Sequence, residues 1–263
     1  MKLTLVVPVY NEEKNLNSVI NYLMTCPMPL TTEWIFVDDC STDNSRTILR
    51  ELKNKFNFTL IEQPSNAGKG AAVIAGIKAA SGDIIMIQDA DFEYDIHDVP
   101  SLLAPVINNE ADVVYGSRFK KNALQVHRTY HYFVNRFLTL VSNLFSGIYL
   151  TDMETCYKVF KADLLKSMNL QSNRFGIEVE FTAYIAKTAA RIHEMPINYY
   201  PRTRLQGKKI NWKDGVAALW HLIRFNFLID IKEAFTNLPE IYDPEKVALK
   251  PYSKVPPKAL NFK

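Results

Sequence analysis

Cysteine, histidine and glycine are scarce in this chain of 263 residues, which has three, five and nine of them. Three scattered cysteines, Cys26, Cys40 and Cys156, exclude a disulfide framework and a cysteine-built zinc site. They fit a reducing compartment, the cytoplasm. Charge of one sign is also missing: a formal net charge of +3 excludes wholesale nucleic-acid binding. No glycine-rich P-loop with its Lys-Ser or Lys-Thr pair occurs, and no Gly-x-Gly-x-x-Gly turn follows the first apolar run, which argues against a dinucleotide cofactor. The Ser, His and Cys residues have no recognisable catalytic spacing. No apolar stretch reaches the roughly 20 residues of a membrane span. Met1-Lys2 leads directly into Leu3-Thr4-Leu5-Val6-Val7-Pro8, a strand and not a signal peptide.

What is present is an ordinary globular composition, 48% hydrophobic and 22% charged, enough to bury a full core. Apolar runs at 3–9, 34–38, 58–62 and 84–88 read as strands. Between them lie helical patterns at about 11–24, 45–55 and 71–80. This rhythm predicts a parallel sheet covered by helices on both faces. Asp112 to Arg118 adds one further short strand.

Two acidic pairs close these strands: Asp38-Asp39 after Trp34 to Val37, and Asp89-Ala90-Asp91 after Ile84 to Gln88. In open parallel sheets ligands bind beyond the carboxyl ends of strands. Asp89 and Asp91, two apart on a turning segment, have the spacing to reach one hard cation, Mg²⁺ or Mn²⁺, whose shell phosphate oxygens and water complete. Strand-end aspartates serve equally well as turn or N-cap residues. The turn Asn66-Ala67-Gly68-Lys69-Gly70 places two glycines, a lysine and a helix N-terminus beside the same strand ends, suited to close approach by a phosphorylated ligand.

Beyond Arg118 the pattern changes. Residues 129–150 and 213–235 repeat apolar and aromatic residues at helical spacing, among them Phe133, Phe137, Leu140, Leu144, Trp220, Ile223 and Phe227. Such helices serve as core or dimer contacts, or lie in a membrane interface. Arg202, Arg204, Lys208 and Lys209 form a basic loop before the second helix, readable as a phosphate-binding lid or as a solvated loop. Prolines and lysines from 243 onward read as an extended tail within 236–263.

Together, Pro8-Val9-Tyr10-Asn11-Glu12, Asp38-Asp39, Asn66 to Gly70, Asp89-Ala90-Asp91 and Gly116-Ser117-Arg118 resemble glycosyltransferase family 2, in the branch of dolichol-phosphate mannose synthase-like enzymes. The resemblance implies an α/β GT-A (Rossmann-like) fold, a mostly parallel sheet flanked by helices with C-terminal amphipathic helices. Residues 1–120 would form its nucleotide-sugar part and 121–235 its acceptor part. It implies that Pro8, Tyr10, Glu12, Asp38, Asp39, Gly68, Lys69, Asp89 and Lys208 bind the nucleotide of a UDP- or GDP-sugar. Asp89, Asp91 and Glu93 would hold the Mg²⁺ or Mn²⁺. Asp89 and Asp91 would be catalytic; because arginine forks suit phosphate oxygens, Arg118 and Arg202 join them as catalytic candidates, and Arg118 and Arg136 are candidates for the phosphate of a polyprenyl phosphate acceptor, Arg136 serving equally well as a surface residue. The implied reaction is inverting and metal-dependent, at the cytoplasmic membrane face, in a peripheral protein with a possible homo-oligomeric state.

A phosphate acceptor is ionised at neutral pH and needs no protein base, whereas a hydroxyl acceptor does. For the second case the candidates are Asp152, Glu154, Glu178 and Glu180, the last two readable also as capping or pairing carboxylates of the helix running to Lys187. A nucleotide-sugar sensor without turnover is the third reading. The segment Thr151 to Lys158 departs from the Ser-Gly-Phe-Arg form of the eukaryotic synthases, which leaves sugar and acceptor open.

Overall fold

Leu3 to Val7, Trp34 to Val37 and Ile84 to Ile87 offer no polar face, so water can be kept from both sides only at the centre of a helix-covered sheet. A computed structural model of the chain, which describes residues 1–120, 129–174, 176–202 and 212–248, places them there. The first half alternates β1 (Lys2–Val9), α1 (Leu16–Thr25), β2 (Thr31–Asp38), α2 (Ser45–Lys55), β3 (Thr59–Glu62), α3 (Lys69–Ala79) and β4 (Ile84–Ile87). Then follow α4 (Val99–Ile107), β5 (Val113–Ser117), α5 (Thr129–Ser146), β6 (Lys158–Lys161), α6 (Ala162–Ser167), α7 (Ile177–Ala186), β7 (Ile192–Pro196) and α8 (Trp212–Ile223).

The seven strands lie in the order β3-β2-β1-β4-β6-β5-β7. β1 through β4 are mutually parallel, as the alternation predicts, and β5 and β7 pair in parallel. β6 departs from the pattern. It runs antiparallel between β4 and β5, pairing Ile84 with Lys161 and Tyr115 with Lys158. The chain therefore moves outward from β1 to β3, returns through α3, and continues on the other side of β1. That reversal opens a crevice at the carboxyl ends of β1 and β4, where ligands bind in such sheets.

Three boundaries differ from the sequence reading. α1 starts at Leu16, because Asn11 has a left-handed backbone (φ 50°) and the Glu12 and Glu13 N–H groups donate to Ser45 and Asp43 instead of opening a helix. The apolar stretch from 213 to 235 is divided: α8 passes into a π-helical turn, Arg224–Leu228, and a separate turn, Ile231–Ala234, starts where the Asp230 carboxylate accepts the Glu233 N–H at 2.8 Å. The expected tail begins later than 236, since Tyr242 is buried and its carbonyl accepts the Ala189 N–H at 2.8 Å.

Candidate active site

The loops after β1, β2 and β4 meet over the crevice. Asn11 and Glu13 from the first loop interlock with Thr42 and Asn44 from the second: the Asn11 side-chain oxygen accepts the Thr42 N–H at 2.8 Å and a Glu13 oxygen accepts the Asn44 N–H at 3.0 Å. Pro8, near the end of β1 opposite Val37, and Tyr10, just after the strand, are half-buried.

Asp38 and Asp39 are buried and already engaged. Asp38 accepts Arg46 Nε at 2.7 Å and the Ser41 N–H at 3.2 Å. Asp39 accepts three donors of the glycine turn: Asn66 Nδ2 at 2.9 Å, Ala67 N–H at 2.9 Å and Gly68 N–H at 2.8 Å. In this structure the pair ties together the loops that frame this end of the crevice.

The two glycines of that turn have a second purpose. Gly68 has φ 101°, open to glycine alone without strain, and a Cβ on Gly70 would run into the Ser172 carbonyl. The 172–174 backbone thus packs directly on the turn, where the Ala71 N–H donates to the Asn173 carbonyl at 3.0 Å. Close approach is real here, but the approaching backbone is the protein's own.

Asp89, Asp91 and Glu93 face the crevice from the end of β4. Lys69 Nζ lies 2.8 Å from Asp89 and 3.7 Å from Glu178. Burial opposes the charge on both Lys69 and Asp89, but their mutual attraction outweighs it, keeping the lysine protonated and the Asp89 carboxyl below its usual range. Asp91 moves the other way, to about 7, because it is buried and faces the negative Asp89. Arg202 supplies the nearest compensation: Nη2 to Asp91 at 2.6 Å, Nη1 to Glu12 at 3.0 Å and Nε to Glu93 at 3.8 Å. Glu93 is turned mostly toward this segment, accepting the Tyr199 hydroxyl at 2.9 Å and the Arg202 N–H at 2.7 Å.

Among the described residues no group of three or more His, Cys, Asp and Glu side chains is arranged around a metal position. The Asp89 and Asp91 oxygens nevertheless fit a hard divalent cation. Asp91 is buried and Asp89 half-buried, and the negative Asp89 raises the Asp91 carboxyl even with Arg202 beside it, so a further positive charge between the two would be favourable. Lys208, with Arg204 and Lys209, lies outside the described residues.

The antiparallel strand β6 brings in groups that the sequence reading had not placed here. Lys158, fully buried, forms an ion pair with Glu178 and donates to the Thr155 carbonyl. A charge-alternating line therefore runs Lys158, Glu178, Lys69, Asp89. Cys156 lies against Asp89, and burial first, then that neighbour, pushes its thiol well up, so it remains protonated. The only sequence signal for this was a lysine opening an otherwise apolar Lys158-Val159-Phe160 run.

The four candidate bases separate clearly. Asp152 is forked by Arg118, Nε and Nη2 each at 2.7 Å. Glu178 is taken by its two lysines. Glu180 accepts the Gln171 and Ser172 N–H groups at 2.7 and 2.8 Å. Glu154 keeps one carboxyl oxygen, Oε1, buried and without a hydrogen-bond partner. Burial, and secondarily Glu178, raises its carboxyl to about 7.

On the far side of these carboxylates, Arg118 and Arg136 converge on one ring. Each guanidinium lies 5.6 Å from the centre of Phe119. Arg118 is 9% exposed, while Arg136 is exposed on α5 and donates to the Thr151 carbonyl at 3.0 Å. The same helix displays Phe133, Phe137, Leu140 and Leu144 to solvent, and Trp220, Ile223 and Phe227 are exposed beside them. A Phe145 to Phe227 edge contact, centroids 4.9 Å apart, joins the two elements. No helix among the described residues is long and apolar enough to cross a membrane.

Comparison with known proteins gives the family and the fold. The profile of the family described as Glycosyl transferase family 2 matches residues 4–168. The chain is 30% identical over 216 residues to a UDP-N-acetylglucosamine--dolichyl-phosphate N-acetylglucosaminyltransferase of Methanococcus voltae, covering 73% of this chain and 83% of that protein. It is 26% identical over 227 residues to a dolichol-phosphate mannosyltransferase of Pyrococcus furiosus, covering 85% of this chain but only 63% of the relative's length. The solved structure of glucosyl-3-phosphoglycerate synthase from Mycobacterium tuberculosis, with Mn²⁺, UDP and phosphoglyceric acid, superposes with a TM-score of 0.65. That match covers 87% of this chain and 80% of the other at 18% identity, a likeness of fold.

Proposed function

The chain belongs to glycosyl transferase family 2, and on that footing we propose that it transfers a sugar from a UDP- or GDP-sugar to a polyprenyl phosphate with inversion at the anomeric carbon. The observation that carries this reading is the meeting of Arg118 and Arg136 on Phe119, at the root of an exposed apolar helix pair. The exposed Arg136 guanidinium suits phosphate oxygens, with Arg118, its Nε and Nη2 held by Asp152, adding positive charge behind it, and an apolar face beside them suits a polyprenyl chain held in a bilayer surface.

The carboxylates support the same choice. Three of the four possible bases are engaged by lysines, an arginine or backbone N–H groups, and a phosphate acceptor needs none of them. Its ionised oxygen attacks the anomeric carbon while the bond from that carbon to the donor diphosphate breaks, and the electron pair leaves on the diphosphate. No proton has to be removed. Asp89 and Asp91 would hold Mg²⁺ or Mn²⁺, which supplies Lewis-acid stabilisation of diphosphate charge when bound. Lys69 and Arg202 add positive charge at the same end of the crevice. Pro8, Tyr10, Glu12 and Gly68, on the loops that Asp38 and Asp39 tie together, would receive the nucleoside. This division makes the acidic end the donor side and the Arg118–Arg136 end the acceptor side.

The test is transfer from UDP- and GDP-sugars to a polyprenyl phosphate presented in vesicles with Mn²⁺. Lipid-linked sugar is the expected product, and Arg136→Ala should raise the acceptor KM about tenfold with donor KM little changed, the loss of roughly one charge-assisted hydrogen bond. Transfer to hydroxyl acceptors alone would overturn the reading. The unpartnered oxygen of Glu154 is the one observation that favours such an acceptor, with Glu154 as its base.

A further inference from the structure

Arg202 stands in the crevice as a cation in its own right. Its guanidinium spans the reversal point of the sheet, touching Glu12 from the β1 loop at 3.0 Å and Asp91 from the β4 loop at 2.6 Å. Glu93 adds a third carboxylate at 3.8 Å from Nε. The fit is incomplete, because Arg202 Nε is buried with no hydrogen-bond partner. A buried donor left unsatisfied costs free energy that release of the side chain recovers. Lys69, by contrast, stays with Asp89 and Glu178 on the opposite side.

We infer that Arg202 and the divalent cation are alternative partners of Asp91, and that the donor's diphosphate decides between them by drawing the guanidinium off the carboxylate. This deepens the donor-site reading above and rests on it. In the free protein Arg202 neutralises Asp91 and screens it from metal. A diphosphate in the crevice offers the fork two more highly charged oxygens in place of the single oxygens of Glu12 and Asp91, and Asp91 is then open to the cation. Arg202 thereby acts as a positioning residue that couples metal binding to nucleotide binding. By linkage the coupling is reciprocal: metal favours nucleotide by the same factor that nucleotide favours metal.

The experiment is a titration of the full chain with Mn²⁺ alone, followed by electron paramagnetic resonance of free Mn²⁺, and repeated with UDP and with GDP. Arg202→Gln should bind Mn²⁺ alone about tenfold more tightly than the wild type, and the tightening produced by the effective nucleotide should shrink by a similar factor. Arg202→Lys, which keeps a charge but not the fork, should fall between them, and carries the same test if the glutamine variant does not fold. Asp91→Asn should abolish Mn²⁺ binding in either background. Equal or weaker Mn²⁺ binding by Arg202→Gln, with Asp91→Asn still abolishing it, would overturn the coupling while leaving the metal site intact. Absence of Mn²⁺ binding in every protein, with or without nucleotide, would overturn the metal reading as well.

Discussion

Glu154 carries a measurable cost at the scale of a single residue. With its carboxyl raised to about 7, it is protonated in the fold at pH 5 and ionised at pH 8, whereas in the unfolded chain it is ionised at both. A raised acid contributes least as pH climbs past its folded value, so stability falls between roughly pH 4 and 7 and stays reduced above. Glu154→Gln imitates the protonated form at every pH. Melting curves should place the variant about 1–2 kcal/mol above the wild type at pH 8 and level with it at pH 5. The same protein separates the two acceptors: lipid-phosphate transfer should survive within about tenfold, whereas a hydroxyl transferase would lose several orders of magnitude with its base. Residue types were readable in the sequence for Asp89, Asp91, Glu154 and Glu178, but their partners were not. Both Glu178 and Glu154 were candidate bases, Glu178 with a pairing role as its alternative, and the arrival of Lys158 and Lys69 at Glu178 is what makes it a held carboxylate.

Among the elements, the turn from Asn66 to Gly70 bears most weight, since it joins Asp39, Lys69 and the 172–174 backbone. Gly70→Ala would press a methyl group into the Ser172 carbonyl. Either the turn or the facing loop must retreat, at a cost of about 1–3 kcal/mol for overpacking. Because Lys69 is the next residue, nucleotide affinity measured calorimetrically should fall together with the melting temperature, whereas Gly215→Ala, with nothing near its Cβ, serves as a control. The strands and helices of the first 88 residues were legible because unbroken apolar runs alternate with amphipathic ones. β6 was not. Lys158-Val159-Phe160-Lys161 is four residues with lysine at both ends, and its place depends on β4 and β5, one of them more than 70 residues earlier. The helix start at Leu16 was missed for a related reason: Glu12 and Glu13 carry helix-opening side chains, and their engagement with another loop takes precedence.

The whole molecule presents a lopsided surface, a polar crevice at the strand ends and an aromatic face along α5 and α8. Leu144 is 73% exposed and Phe227 60%. Exposed apolar surface of this breadth marks an interaction site. In the reading given above it meets the bilayer that carries the acceptor, with Arg136 at headgroup level. Leu144→Glu with Phe227→Glu should reduce co-sedimentation with anionic vesicles at low salt severalfold while leaving nucleotide binding unchanged. If sedimentation is unaffected and gel filtration instead shifts from dimer to monomer, the face belongs to a second copy of the chain.

The antiparallel insertion of β6 has a consequence for how the protein is made. Until residue 161 has been synthesised, β4 is the outermost strand of a growing parallel sheet, and its sequence Ile84-Ile85-Met86-Ile87 is an apolar edge of the kind that recruits other chains. Fragments ending between residues 120 and 157 are therefore expected to aggregate, and those reaching past α6 to stay in solution. Asp89 and Asp91 follow directly on that edge, so β6 both seals the strand against misassembly and, in the same event, closes the sheet beneath the crevice.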